Sequence, residues 1–120
     1  MHAITITSGK IVLHAMLNDT VASRDLFGRL PLTVGGYDSG IDYCCTLDSG
    51  AFDPAEMQTG WKNGDISLGG GWFALLYGGQ EQSSAYRDMM IVGRIDDADL
   101  KLVKSLPKKA MFSIAPAEES

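Results

Sequence analysis

The amino-acid sequence predicts a mainly β (α+β) fold: a closed barrel of about eight strands, with two short helices. Short runs rich in β-branched and aromatic residues recur along the chain, separated by Gly, Asn and Asp turn signals. Two other segments carry apolar residues spaced four apart, as on one face of a helix. The 120 residues, 45% of them hydrophobic, suit one domain with its own core. We expect residues 1–114 to form this domain and residues 115–120 to be a disordered tail.

The predicted strands alternate with turn signals throughout the chain. They cover residues 3–7, 11–17, 32–34, 43–47, 65–68, 72–77, 89–95 and 110–114. The first two are joined by Ser8-Gly9-Lys10 and are expected to pair as a hairpin. Asn63-Gly64 is a second turn signal, and Gly93 inside a strand predicts a bulge. Closure of these strands into a barrel would leave no sheet edge exposed.

The predicted helices each end at a proline, because the residue before proline avoids helical geometry. The first covers residues 20–30 and places Leu26 and Leu30 on one face, with Thr20 or either of the two residues before it as the cap. The second covers residues 98–106. Both are amphipathic, so we expect each to pack against the sheet by one face.

Three connections between these elements have their own predicted structure. Residues 35–40 are expected to be a loop, and the polar segment 78–87 is expected to be an exposed, mobile loop. Asp53-Pro54 predicts one helical turn, with Asp53 as its cap and Pro54 in its first position.

Charge and hydropathy argue against several classes of partner. The net charge is −5 and the basic residues form no stripe, so a nucleic-acid partner is not expected. The first ten residues lack the pattern of a signal peptide, and no apolar run approaches the roughly 20 residues that cross a bilayer. We therefore expect a cytoplasmic protein with no membrane partner.

No cofactor motif is present. The adjacent Cys44 and Cys45 are expected to be reduced thiols, one facing into the barrel and one facing out. His2 and His14 have no metal-ligand spacing around them. The glycine clusters lack phosphate-loop spacing, and no nucleophile elbow is present. We predict no metal site and no cofactor.

Four segments together resemble one protein family. They read LNDTVASRDLFGRLPLTV, GWKNGDISL, FALLYGG and MIVGRI, in this order. On these segments the chain, over residues 3–114, resembles a group of small bacterial and archaeal cyclophilin-like proteins. The resemblance implies a compact closed β-barrel like that of the cyclophilins, with helices covering its open ends.

The resemblance does not extend to the catalytic motif of the larger cyclophilins, which are peptidyl-prolyl isomerases. Those enzymes carry an arginine three residues after a phenylalanine in a barrel strand, followed by a Phe-Met-x-Gly segment. The four arginines here are Arg24, Arg29, Arg87 and Arg94, and none has that context. Isomerase activity therefore remains an alternative hypothesis, although the usual catalytic arginine has no counterpart in this sequence.

Aromatic residues near loops and strand ends give the candidate site, since Tyr and Trp combine apolar surface with a polar group. The predicted ligand-binding residues are Arg24, Tyr43, Trp61, Trp72, Tyr77, Tyr86 and Arg87. Each aromatic side chain taken alone is also explained as a core residue at the mouth of the barrel. An anionic ligand group would suit Arg87. The first hypothesis is a non-catalytic module that binds a small molecule or a peptide; the alternatives are an isomerase and a homo-oligomeric structural subunit.

Overall fold

The computed structural model describes residues 1–117, in which eight strands close into an antiparallel barrel. The strands are β1 (His2–Ser8), β2 (Ile11–Leu17), β3 (Leu32–Asp38), β4 (Tyr43–Thr46), β5 (Asp65–Gly69), β6 (Trp72–Leu76), β7 (Ile91–Ile95) and β8 (Lys109–Pro116). The helices are α1 (Val21–Arg29) and α2 (Asp97–Val103), with 3₁₀ helices at Pro54–Glu56 and Gln80–Ala85. The predicted closed barrel with short helices is confirmed.

The order of strands around the barrel is β1-β2-β7-β5-β6-β4-β3-β8, and β8 pairs with β1 to close it. Three of these pairs, β1–β2, β3–β4 and β5–β6, join strands that follow each other in sequence. β6 lies between β4 and β5, although β5 precedes it in the chain. This order places β4, β6 and β5 side by side in one part of the wall.

Side chains that alternate along each strand fill the barrel. Tyr43, Phe73 and Phe112 are among its largest fully buried side chains, and the Phe112 and Tyr43 rings meet edge to face at 5.7 Å. The Tyr43 hydroxyl lies 2.9 Å from each of two backbone carbonyls to which its one proton can be donated, so its burial leaves no unpaired polar group. Both helices contribute apolar side chains to this core, including Leu26 of α1 and Val103 of α2.

Two helices begin at residues that the sequence predicted as their caps. Thr20 caps α1 by accepting a hydrogen bond from the Ser23 backbone N–H at 3.1 Å. Asp53 caps the 3₁₀ turn that begins at Pro54, as predicted. α2 is shorter than the predicted residues 98–106, because residues 104–106 form turns after it. None of the described helices combines the length and apolarity needed to span a bilayer.

Several connections are more regular than predicted. β3 continues through Gly35 and Gly36 to Asp38, where a loop was expected. Gly36 permits this because a Cβ there would lie 2.2 Å from the Cys44 carbonyl oxygen. β8 includes Ala115 and Pro116, which pair with β1, so the predicted tail of residues 115–120 does not begin at 115. Its last three residues lie outside the described part of the chain.

The predicted loop 78–87 contains the 3₁₀ helix Gln80–Ala85. Hydrogen bonds of the buried Ser83 attach it to the neighbouring segment. The Ser83 hydroxyl accepts from the Trp61 backbone N–H at 3.1 Å and lies within hydrogen-bonding distance of the Trp61 and Gln80 carbonyls. The following strand begins at Ile91 rather than at residue 89, because Met89 forms an isolated bridge with Gln58 instead. This bridge holds two connecting segments together over the outside of the barrel.

Arg94 links β7 to β5 and α2. Its guanidinium contacts the Asp65 carboxylate at 3.3 Å and the Asp97 carboxylate at 2.7 Å. Gly93 lies opposite β2, where a Cβ would be 2.6 Å from the Met16 carbonyl oxygen. The register between β5 and β7 shifts beside Gly93, which is the irregularity that the sequence predicted. The GDI and GRI segments of the resemblance therefore have structural roles.

Candidate ligand-binding groove

A groove with a cavity volume of about 320 Å³ lies on the outer surface of the barrel, over β4, β6 and β5. Residues that point outward from these strands line it, whereas their neighbours in sequence point into the core. Trp61, Ala74, Leu76 and Ile91 form a second apolar cluster beneath and beside it, separate from the core inside the barrel. The groove is thus a feature of the wall, not an opening into the barrel.

The floor of the groove is a row of small side chains. Cys44 lies directly opposite Ala74 in the β4–β6 pair, and Ala74 lies directly opposite Ser67 in the β6–β5 pair. The larger Trp72 and Leu76 stand on either side of Ala74 on the same face of β6. A small residue between large ones, repeated across neighbouring strands, leaves a depression in the sheet surface.

The walls come from the connecting segments and are largely aromatic. The Trp61 indole N–H donates to the Gly78 carbonyl at 2.8 Å, so this buried ring is fixed in place. The Tyr86 ring lies 5.3 Å from the Trp61 ring and is 51% exposed. Trp72, 46% exposed, forms another wall, and methionines 57, 89 and 90 complete the lining. Methionine side chains adapt to different ligand shapes.

Two carboxylates are the charged groups in the lining, Asp42 and Asp88, and no Lys, Arg or His of residues 1–117 lines the groove. Ser39 donates its hydroxyl to Asp42 Oδ1. Burial raises the pKa of Asp42 above its ordinary value, and the nearby Asp38 adds to this rise. Asp88 has a φ of 59°, in the left-handed region, at the turn before Met89.

The two cysteine thiols of β4 are weak nucleophiles at neutral pH. Burial, and then the charge of Asp42, raises the pKa of the Cys44 thiol. Inside the barrel, burial raises the pKa of the neighbouring Cys45 to about 12. Both thiols are free, as predicted, and both are protonated at neutral pH. Within the described chain, no three His, Cys, Asp or Glu side chains gather as a metal site would require.

The structure brings together three of the seven predicted site residues: Trp61, Trp72 and Tyr86 all line the groove. Tyr43 lies inside the barrel, as the core alternative proposed. Tyr77 packs against the core of the barrel and does not line the groove, and its hydroxyl donates to Asp38 at 2.5 Å.

The two predicted arginines do not line the groove. Arg24 lies on α1 and donates to the Asp19 carbonyl. Arg87 is exposed in the segment between Tyr86 and Asp88, outside the lining. The sequence reasoning missed the lining carboxylates and the small residues of the floor. The floor residues alternate along their strands with residues that point inward. This alternation cannot be recognised from the sequence in an almost continuous apolar run such as WFALLY.

Comparison with known proteins supports the fold. The solved structure of McbB in complex with tryptophan superposes on this chain with a TM-score of 0.71 at 14% sequence identity. The match covers 98% of this chain but 45% of the McbB chain, so the chain spans less than half the length of that protein. No curated protein matches the sequence. Residues 6–115 match the model of the Cyclophilin-like family, and the chain therefore belongs to that family.

Proposed function

We propose that this protein is a non-catalytic binding module whose groove takes a small molecule with an apolar ring. The observation that carries the proposal is the row Cys44–Ala74–Ser67, a small-residue floor between aromatic walls. A cavity of about 320 Å³ lies at the lower end of the range for small-molecule sites. McbB, a protein of the same fold, has been solved in complex with tryptophan, which is in keeping with a small aromatic ligand.

A small molecule suits the groove better than an extended peptide. The cavity volume of about 320 Å³ is near the lower limit for small-molecule sites, so it suits a compact ligand. A peptide that binds as an added strand needs a free sheet edge, and the closed barrel pairs every one of its strands on both sides. The groove therefore favours one ring or one side chain over a length of backbone.

Isomerase activity has no support in the groove. A guanidinium that polarises the amide before proline would have to face the bound substrate. Of the described arginines, Arg24 and Arg29 belong to α1, Arg87 stands outside the lining, and Arg94 is engaged by Asp65 and Asp97. We expect no acceleration of prolyl isomerisation in a short peptide.

The decisive experiment fills the floor. The variant Cys44→Leu adds volume at the centre of the groove, whereas Thr33→Leu adds the same side chain at an exposed position of β3, outside the lining. The chain has two tryptophans, Trp61 and Trp72, and both line the groove, so their fluorescence reports binding. The probe is 2-phenylethanol, a neutral ring compound.

We expect Cys44→Leu to weaken binding of the probe at least tenfold and Thr33→Leu to leave it within twofold. Thermal unfolding of both variants establishes that each is folded. Equal binding by both variants, or no saturable response in the unsubstituted protein, would overturn the proposed groove.

A further inference from the structure

All of the charged residues that line the groove are acidic. Asp42 and Asp88 are its two charged residues, and no described basic side chain lines it. The protein as a whole carries a net charge of −5, so its overall field also attracts cations. This arrangement opposes the expectation of an anionic ligand held by Arg87.

Asp42 is the better placed of the two carboxylates. It is half-buried immediately before β4, whereas Asp88 is exposed. Ser39 occupies Oδ1, and Oδ2 has no hydrogen bond to any residue of the described chain. The groups that influence Asp42 or are influenced by it are Asp38, Ser39, Cys44, Cys45 and Tyr77. None of these is basic, and none of the ion pairs of residues 1–117 includes Asp42, so its charge has no counterion in that part of the chain.

A half-buried carboxylate without a counterion costs free energy, because burial removes part of its hydration. A ligand ammonium group beside Oδ2 would offset that cost with a charge-assisted hydrogen bond. The aromatic residues that line the groove add to this preference, since aromatic rings attract positive charge. Carboxylate and aromatic walls thus select the same ligand chemistry.

We infer that the ligand of the groove is an amphipathic amine, with an apolar ring over the Cys44–Ala74–Ser67 floor and a protonated amino group at Asp42. This inference rests on the proposed function, because it names the class of ligand for the same groove. Asp88 is exposed, so it adds a weaker attraction for the protonated amine and does not bury the amino group. A carboxylate-bearing ligand of the same size is disfavoured by repulsion from both residues.

The test compares three probes of similar size: 2-phenylethylamine, 2-phenylethanol and 3-phenylpropanoate. They share a phenyl ring on a two-carbon chain and differ in charge at neutral pH. Calorimetry of the whole protein at low ionic strength gives the dissociation constants. We expect the amine to bind roughly five- to tenfold more tightly than the alcohol, and 3-phenylpropanoate to bind most weakly.

Three asparagine variants locate the effect. Asp42→Asn retains a carbonyl oxygen for Ser39 and removes the charge, so we expect it to weaken amine binding roughly fivefold and to change alcohol binding by less than twofold. Asp88→Asn should weaken amine binding by a smaller factor. Asp48→Asn is the control, because Asp48 is a turn carboxylate outside the lining and the variant changes the net charge equally.

The outcomes separate the inference from the proposed function. Equal affinities for amine and alcohol would overturn the amine inference and leave the small-molecule groove standing, and so would a preference for 3-phenylpropanoate. If Asp48→Asn weakens binding of the amine as much as Asp42→Asn does, the effect is a general attraction between charges. That result would also overturn the amine inference. Absence of binding by all three probes at millimolar concentration would overturn both.

Discussion

The two faces of β6 differ in what they require of a side chain. Phe73 and Leu75 point into the barrel and are fully buried. Trp72, Ala74 and Leu76 point outward, and there a half-exposed ring stands next to a small floor residue. Core side chains occupy the interior, whereas the outer face carries a groove that the surrounding segments only partly cover. The comparison indicates that the barrel is the support and that the proposed site lies on the outer face of its wall.

The same contrast recurs at the adjacent cysteines of β4. Cys45 belongs to the buried core, and Cys44 belongs to the floor of the groove. Because successive strand residues face opposite ways, two chemically identical side chains have different environments. Substitutions and titrations at such neighbouring pairs therefore test the difference between interior and groove.

The largest expected effect comes from the interior. Phe73→Ala removes a fully buried ring and leaves a cavity that the closed barrel cannot fill by collapse. We expect it to lower the free energy of unfolding by about 3–5 kcal/mol. Urea unfolding followed by circular dichroism measures the loss.

Met111→Ala is the matched control, because Met111 also lies on a barrel strand but points outward and is 62% exposed. We expect its free energy of unfolding to stay within about 0.5 kcal/mol of the unsubstituted protein. A similar loss for both variants would contradict the division between interior and outer surface.

The next effect is a loss of stability in alkali, of about 1.4 kcal/mol per pH unit at most for each thiol. The pKa of Cys45 is about 12 in the folded protein, against an ordinary value of 9.0. Below pH 9 both states keep the thiol proton, so the stabilisation is complete. Above pH 9 the unfolded chain releases this proton while the folded protein retains it, and the free energy of unfolding falls.

Unfolding by urea between about pH 8 and pH 10.5 measures this slope. Cys44, Tyr43 and Tyr77 also have raised pKa values and add to it. We expect Cys45→Ala to flatten the slope more than Cys44→Ala does, because Cys45 is the more deeply buried thiol. An unchanged slope in Cys45→Ala would contradict its burial in the interior.

Much of the fold was predictable because its signals are local. Ser8-Gly9-Lys10 and Asn63-Gly64 predicted turns, and Gly93 predicted an irregularity, from neighbouring residues alone. The extension of β3 through Gly35 and Gly36 was not predictable in this way. Glycines ordinarily interrupt strands, and here the reason for one of them is its close approach to Cys44 on the adjacent strand.

The groove was only partly predictable because its floor is non-local. Cys44, Ser67 and Ala74 meet because β6 lies between β4 and β5, which is a property of the barrel order. Tyr43 shows the same difficulty, since its hydroxyl partners are the carbonyls of Leu106 and Pro107, far along the chain. Composition identified Trp61, Trp72 and Tyr86 as aromatic candidates, but the direction of each ring depended on register.

A smaller effect on stability is expected at the wall of the groove. Trp72→Ala removes a half-exposed ring, so we expect it to lower the free energy of unfolding by less than about 1 kcal/mol. The same change should weaken binding of 2-phenylethanol severalfold, because that ring forms one wall. Calorimetry and urea unfolding measure the two quantities, and a large loss of stability with unchanged binding would reverse the assignment of Trp72.

The last contrast involves no change in stability. A thiol-specific alkylating reagent should modify Cys44 in the folded protein and leave Cys45 unmodified, as measured by mass spectrometry of proteolytic fragments. Because the thiolate reacts and the pKa of Cys44 is raised, the rate should be low at neutral pH and should increase as the pH rises. Saturating 2-phenylethanol should slow modification of Cys44, since the probe would cover the floor of the groove. Modification of both cysteines at one rate would contradict their opposite facing, whereas modification of Cys44 unaffected by a bound probe would place that probe outside the groove.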